Sequence, residues 1–127
     1  MADLSPLGVS ASAGTLRGPG VTLAHAWTPQ GVAADPVTNG AQVLHLAVAV
    51  CVLNDVYREA RALGVEVRGV RVVADGGFDE AWRSTGVTYR VQVDGPTSAD
   101  AERLLARVDE VAEVPRALRF GVPVARA

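Results

Sequence analysis

An α+β domain is the fold class this sequence predicts, and three observations carry it. A turn signal separates two short stretches near the N-terminus. A long apolar segment with helix punctuation follows. Two stretches that alternate apolar and polar residues then precede an amphipathic helical stripe. An N-terminal hairpin, a long buried central helix, antiparallel strands and a C-terminal helix pack as helices on one face of a sheet. The chain has 127 residues, the size of one domain, and residues 1–127 are read as one. With 49% apolar and 20% charged residues the chain can bury a core and is not expected to be disordered.

Residues 1–13 show no clear period and are expected to fray. Arg17-Gly18-Pro19-Gly20 is a turn signal, since Gly permits positive φ and Pro presets φ. Strands at about Ala13–Arg17 and Val21–Trp27 would pair across it. Thr28–Val37, with Pro29, Gly31 and Pro36, reads as a loop. Thr38 or Asn39 can N-cap a helix running to Leu63, with Gly64 as its C-terminal stop. From Val43 to Leu53 every position except His45 is apolar, so this part is expected to be buried on all sides. A sheet of few strands cannot cover such a helix, which suggests that a second copy supplies part of the wall.

Val65, Val67, Val70 and Val72 alternate with Glu66, Arg68 and Arg71, giving a half-exposed strand with an irregularity at Gly69 and a closing turn at Asp75-Gly76-Gly77. Val87, Tyr89, Val91 and Val93 form the next strand, closed by Asp94-Gly95-Pro96. Thr97 or Ser98 caps a helix whose stripe is Ala101, Leu104, Leu105, Val108, Val111 and Ala112. Pro115 starts a separate short helix or turn, and Gly121–Val124 reads as a final extended piece.

Charge and composition narrow the function classes. The formal net charge is -2 and no basic block exists, so nucleic acid is not an expected partner. The longest apolar run is shorter than the roughly 20 residues a bilayer needs, so no membrane association is expected. Met1–Gly8 has neither a basic start nor an apolar stretch of the kind a secretory signal carries. A single cysteine excludes an intrachain disulfide, and the expected compartment is the cytoplasm, which leaves Cys51 as a free thiol. One Cys and two His give no metal-ligand spacing, and no cofactor is expected. Asp75-Gly76-Gly77 lacks the surroundings of a phosphate loop.

Asn39-Gly40-Ala41-Gln42-Val43-Leu44 and then Ala47-Val48-Ala49-Val50-Cys51 resemble the start of the central helix of the OsmC/Ohr family. In that family a reactive cysteine follows twelve residues after the Asn, as Cys51 follows Asn39 here. Gly64–Val72 resembles the strand after that helix. Val111–Arg119 resembles the segment holding the family's second cysteine. The match runs from about residue 39 to the end. The resemblance implies an intertwined homodimer with two sites at its interface. It also implies a thiol-dependent peroxidase, in which a peroxidatic cysteine attacks a hydroperoxide, an Arg–Glu pair supports the thiolate, and a second cysteine resolves the product. Cys51 stands at the peroxidatic position. No second cysteine exists, Ala41 stands where the family's glutamate is usual, and Arg17 is the one arginine of the first hairpin. Cys51 and Arg17 are therefore the candidate catalytic residues.

Each candidate also has a plain structural reading. Cys51 lies mid-helix, where the helix dipole does little for a thiolate, and Asp55 one turn on raises the thiol pKa. A lone buried cysteine is commonly a small apolar residue. Arg17 can be a surface turn residue. Arg58 reads as the i,i+3 partner of Asp55. His45 lies about 120° round the helix from Cys51 and reads as a hydrogen-bonded core histidine. His25 is ambiguous, and Asp109, Glu110 and Glu113 read as a solvated face. The expected function is an OsmC-like thiol protein, a peroxidase for organic hydroperoxides only if an external thiol reductant resolves Cys51. The alternatives are a non-catalytic dimer that binds a small apolar ligand, and a redox sensor working through Cys51.

Overall fold

The computed structural model describes residues 4–127. It contains strands β1 (Val9–Gly14), β2 (Val21–Leu23) and β3 (Val32–Asp35), helix α1 (Gly40–Leu63), strands β4 (Gly69–Phe78) and β5 (Ser84–Asp94), and helices α2 (Ser98–Val111) and α3 (Glu113–Phe120). The five strands form one antiparallel sheet in the order β2-β3-β1-β4-β5. Helix α1 lies across β1 and β4 at the centre of this sheet, and α2 and α3 pack on α1. The α+β class and the element order therefore hold.

Helix α1 has the expected ends. Asn39 is the N-cap, with its side chain accepting the Gln42 N–H, and Gly64 closes the helix in the left-handed conformation at φ 69°. Gln42 adds a second tie, since its Oε1 accepts from the Thr38 N–H at 2.7 Å. Leu46, Ala49, Val52, Leu53, Val56 and Ala60 point into the core at helical spacing. They meet Val9, Ala11 and Ala13 of β1 and Val70, Val72 and Ala74 of β4, which alternate inward at the strand period of two. Fully burying a Val or Leu side chain contributes roughly 1.5–3 kcal/mol. By length and apolarity α1 alone would pass for a membrane span. Its buried face packs on the sheet, and its second half carries Asn54, Asp55, Arg58 and Glu59.

The local reading needs five corrections. Val9–Ala13, expected to fray, forms the central strand β1, while residues 1–3 lie outside the described residues. The strands flanking Arg17-Gly18-Pro19-Gly20 do not pair with each other: β1 pairs with β3 and β4, and the N-terminal hairpin is β2 with β3. Part of the expected loop, Val32–Asp35, is thus a strand buried at Val32, Ala33 and Ala34. Val65–Arg68 precedes the strand instead of forming it.

Asp75-Gly76-Gly77 lies inside β4 and does not end it. Packing explains these glycines better than turn geometry does. A Cβ on Gly76 would stand 2.8 Å from His45 Nε2 and closer still to the Gly86 carbonyl. His45 of α1 is buried there, donates through Nδ1 to the Leu7 carbonyl at 2.8 Å and stacks on Phe78. Asp75 accepts from the Ser5 N–H and hydroxyl, each at 2.6 Å, which ties the N-terminal segment to β4.

Candidate functional site around Cys51

The expectation that α1 is covered on every side holds for only part of its circumference. Val43 is 49% exposed, Ala47 is exposed, and Leu44, Val50 and Cys51 are half-buried. These residues form a continuous open strip on α1. Cys51 lies along its edge, beside the junction of α2 and α3.

That junction supplies the site's second half. Helix α2 stops at Ala112, whose extended backbone (φ -61°, ψ 120°) breaks the helix while its buried methyl stays in the core. Pro115 lies in the first turn of α3, where a missing N–H costs no intrahelical bond. Glu113 and Val114 are thereby fixed against Cys51. The Cys51 S–H donates to Glu113 Oε2 at 3.5 Å, and the Val114 N–H donates to Sγ at 3.4 Å.

Arg58 joins the carboxylates around this thiol. Its guanidinium reaches Glu113 Oε1 at 3.0 Å, Asp55 Oδ2 at 3.1 Å and Glu59 Oε2 at 3.0 Å. Glu59 in turn pairs with Arg107 of α2 at 3.1 Å. The i,i+3 pairing of Asp55 with Arg58 is as expected. Asp55 is fully buried, and burial pushes its carboxyl above the ordinary range despite the Asn54 side chain and Arg58. Burial likewise pushes the Cys51 thiol up, opposed by the Val114 N–H and reinforced by Asp55 and Glu113. Glu113 moves the other way, because Arg58 outweighs its partial burial. Cys51, Asp55 and Glu113 offer one thiol and two carboxylate donors within 4.8 Å of one another, a set that could hold a metal ion. The guanidinium of Arg58 already provides the counter-charge in this cluster.

Glu113 is exposed, as expected for the solvated face it shares with Asp109 and Glu110, but its contact with Cys51 was missed by the sequence reading. The signal that could have found it was the likeness of Val111–Arg119 to a second-cysteine segment, which brings this stretch to Cys51. Arg17 stands elsewhere: its Nη2 donates to Thr22 Oγ1 at 2.8 Å, and among the described residues of one chain no hydrogen bond joins it to Cys51. His45 is the core histidine expected. His25 bonds Thr28 Oγ1 at 2.8 Å and meets the Tyr57 ring edge-on.

One helical turn before Cys51, Val48 lines a cavity of about 330 Å³ between α1, β5 and α3. Leu44, Val87, Pro115 and Leu118 give it apolar walls, and Tyr89 and Arg119 stand at its edge. The Tyr89 hydroxyl and the Arg119 guanidinium both donate to Asp109.

These features define a class: a two-layer α+β protein with one half-buried thiol on its central helix, at an open face beside an apolar cavity. The sequence profile of the OsmC-like protein family matches residues 33–126, and the chain belongs to that family. Among solved structures, an OsmC-like hydroperoxide resistance protein from Jannaschia sp. CCS1 has a similar fold, with a TM-score of 0.51 at 14% identity. The alignment covers 93% of this chain and 91% of that one. Among curated proteins none gives a significant match.

Proposed function

We propose that this chain is a one-cysteine thiol peroxidase of the OsmC type, with Cys51 as the reacting group and an external thiol as its reductant. The observation that carries this reading is the half-buried Cys51 sulfur beside the apolar cavity that Val48 and Pro115 help line. An organic hydroperoxide suits that combination, with its carbon skeleton in the cavity and its O–O group at the sulfur. The name of the similar Jannaschia protein supports the same substrate class.

The chemistry balances without a second cysteine. The thiol proton leaves to water, and the thiolate attacks the terminal peroxide oxygen. The O–O bond breaks, sulfur becomes a sulfenic acid, and the alkoxide takes a proton from water to leave as the alcohol. One external thiol condenses with the sulfenic acid, releasing water and forming a mixed disulfide. A second thiol attacks the external sulfur of that disulfide, releasing Cys51, which regains its proton, and the two external thiols leave as one disulfide. A reducing compartment such as the cytoplasm would supply those thiols.

A homodimer belongs to this reading. The open strip through Val43, Ala47 and Val50 is apolar, and a second copy covering it would close the wall beside Cys51. Arg17 enters as the family's arginine, and to serve a sulfur it would have to leave Thr22.

The second reading is a non-catalytic dimer that binds a small apolar ligand in the same cavity. It is favoured by the two carboxylates beside Cys51, which disfavour a thiolate. Cumene hydroperoxide separates the two. The peroxidase consumes it continuously with an added monothiol, and Cys51→Ser abolishes consumption. Absence of consumption by the wild-type protein with that thiol present would leave the binding reading.

A further inference from the structure

A carboxylate of α3 stands on the Cys51 sulfur. Glu113 is the first residue of α3, and its two oxygens have separate partners: Oε2 accepts the Cys51 S–H at 3.5 Å, and Oε1 accepts from Arg58 at 3.0 Å. The second neighbour of the sulfur is the Val114 N–H at 3.4 Å. These contacts favour opposite protonation states. An N–H aimed at sulfur stabilises the thiolate, whereas a carboxylate accepting S–H stabilises the thiol. Arg58 is the cation that could assist a thiolate, and its guanidinium is engaged with Glu113, Asp55 and Glu59.

We propose that Glu113 is the positioning residue that keeps Cys51 a neutral thiol, and that displacing it leaves the Val114 N–H and Arg58 to hold a thiolate. The charged groups around the sulfur come from all three helices: Asp55, Arg58 and Glu59 from α1, Arg107 from α2, and Glu113 from α3. Arg58 and Arg107 offset part of the three carboxylates, and Glu113 is the one that touches the sulfur. Its carboxyl lies below the ordinary range and its side chain is 62% exposed, so at neutral pH the lock opens when that side chain swings off the sulfur while the Val114 N–H stays in place. Deprotonation then passes the thiol proton to water. The proposal rests on the reading of Cys51 as a reactive thiol, yet it concerns the thiol itself and is measured without peroxide.

The test is the pH profile of Cys51 alkylation by iodoacetamide, a neutral reagent, on the full chain. Glu113→Gln should lower the midpoint pH and leave the high-pH plateau unchanged. The rate at neutral pH should rise about tenfold for each unit of that change. Glu113→Asp, which keeps the charge but draws it back from the sulfur, should move the midpoint in the same direction and serves if the Gln variant folds poorly. Glu110→Gln, an exposed acid on α2, should leave the profile in place. A higher plateau with an unmoved midpoint would mean that Glu113 merely covers the sulfur. Slower labelling of Glu113→Gln would mean that Glu113 takes the proton as a base. Either result overturns the proposal, whatever the peroxidase assay shows.

Discussion

Asp55 is fully buried yet ionically paired with Arg58, whose guanidinium lies 3.1 Å from Asp55 Oδ2. Arg58 also holds Glu59 and Glu113, so one cation serves three carboxylates beside one thiol. This sharing makes the site sensitive to any change in charge.

Asp55 should show itself in the pH dependence of stability. Its folded-state carboxyl titrates above the ordinary value of 3.8, so the stability it contributes is present below that value and lost as pH rises through the folded pKa. Asp55→Asn removes this loss. Glu113 and Glu59 titrate below their ordinary values and act in the opposite sense in both proteins. The melting temperature of Asp55→Asn relative to wild type is expected to rise between pH 4 and pH 7. A difference that falls over that range would show that the ion pair with Arg58 outweighs the burial.

Leu53 is the core test. It has no exposed surface and packs among residues of α1 and the sheet. Leu53→Ala should cost about 2–5 kcal/mol, from lost burial and a residual cavity. Denaturant unfolding measures it, and a cost under about 1 kcal/mol would contradict the packing described.

The open strip on α1 makes the assembly testable. Light scattering of the wild-type protein at low micromolar concentration should give twice the chain mass. Ala47→Lys places a charge on that exposed strip, where a folded monomer can tolerate it. The variant should shift toward the monomer with little change in helical content. A monomeric wild-type protein would remove the dimer from the proposed function.

Arg17 has its own experiment. In one chain it donates to Thr22 Oγ1 across the turn between β1 and β2. If it serves a Cys51 thiolate in an assembled dimer, Arg17→Met should slow Cys51 labelling at neutral pH, by up to about tenfold for a one-unit rise in thiol pKa. An unchanged rate would assign Arg17 to the turn alone.

Sequence patterns revealed the parts of this fold that depend on local chemistry. The caps at Asn39 and Gly64, the core stripe of α1 and the break before Pro115 each follow from a residue's own conformational preference. Long-range pairing was less legible. Val9–Ala13 alternates weakly because Ser10 and Ser12 lie between small apolar residues, and only the pairing with β3 and β4 makes it a central strand. Gly76 reads as a turn residue until His45 is packed against it. At the site, Cys51 and the Asp55–Arg58 pair lie on one helix and can be found by spacing. Glu113 is 62 positions away from Cys51, and only the docking of α3 brings it to the sulfur.

In the proposed function Cys51 reacts with an organic hydroperoxide and needs an outside thiol to recover. Mass spectrometry after one equivalent of cumene hydroperoxide, with dimedone present and thiol absent, tests it most directly. About one dimedone adduct per chain is expected, on Cys51, and none in Cys51→Ser. A native protein that leaves the peroxide unconsumed, with Cys51 recovered as the free thiol, would contradict it.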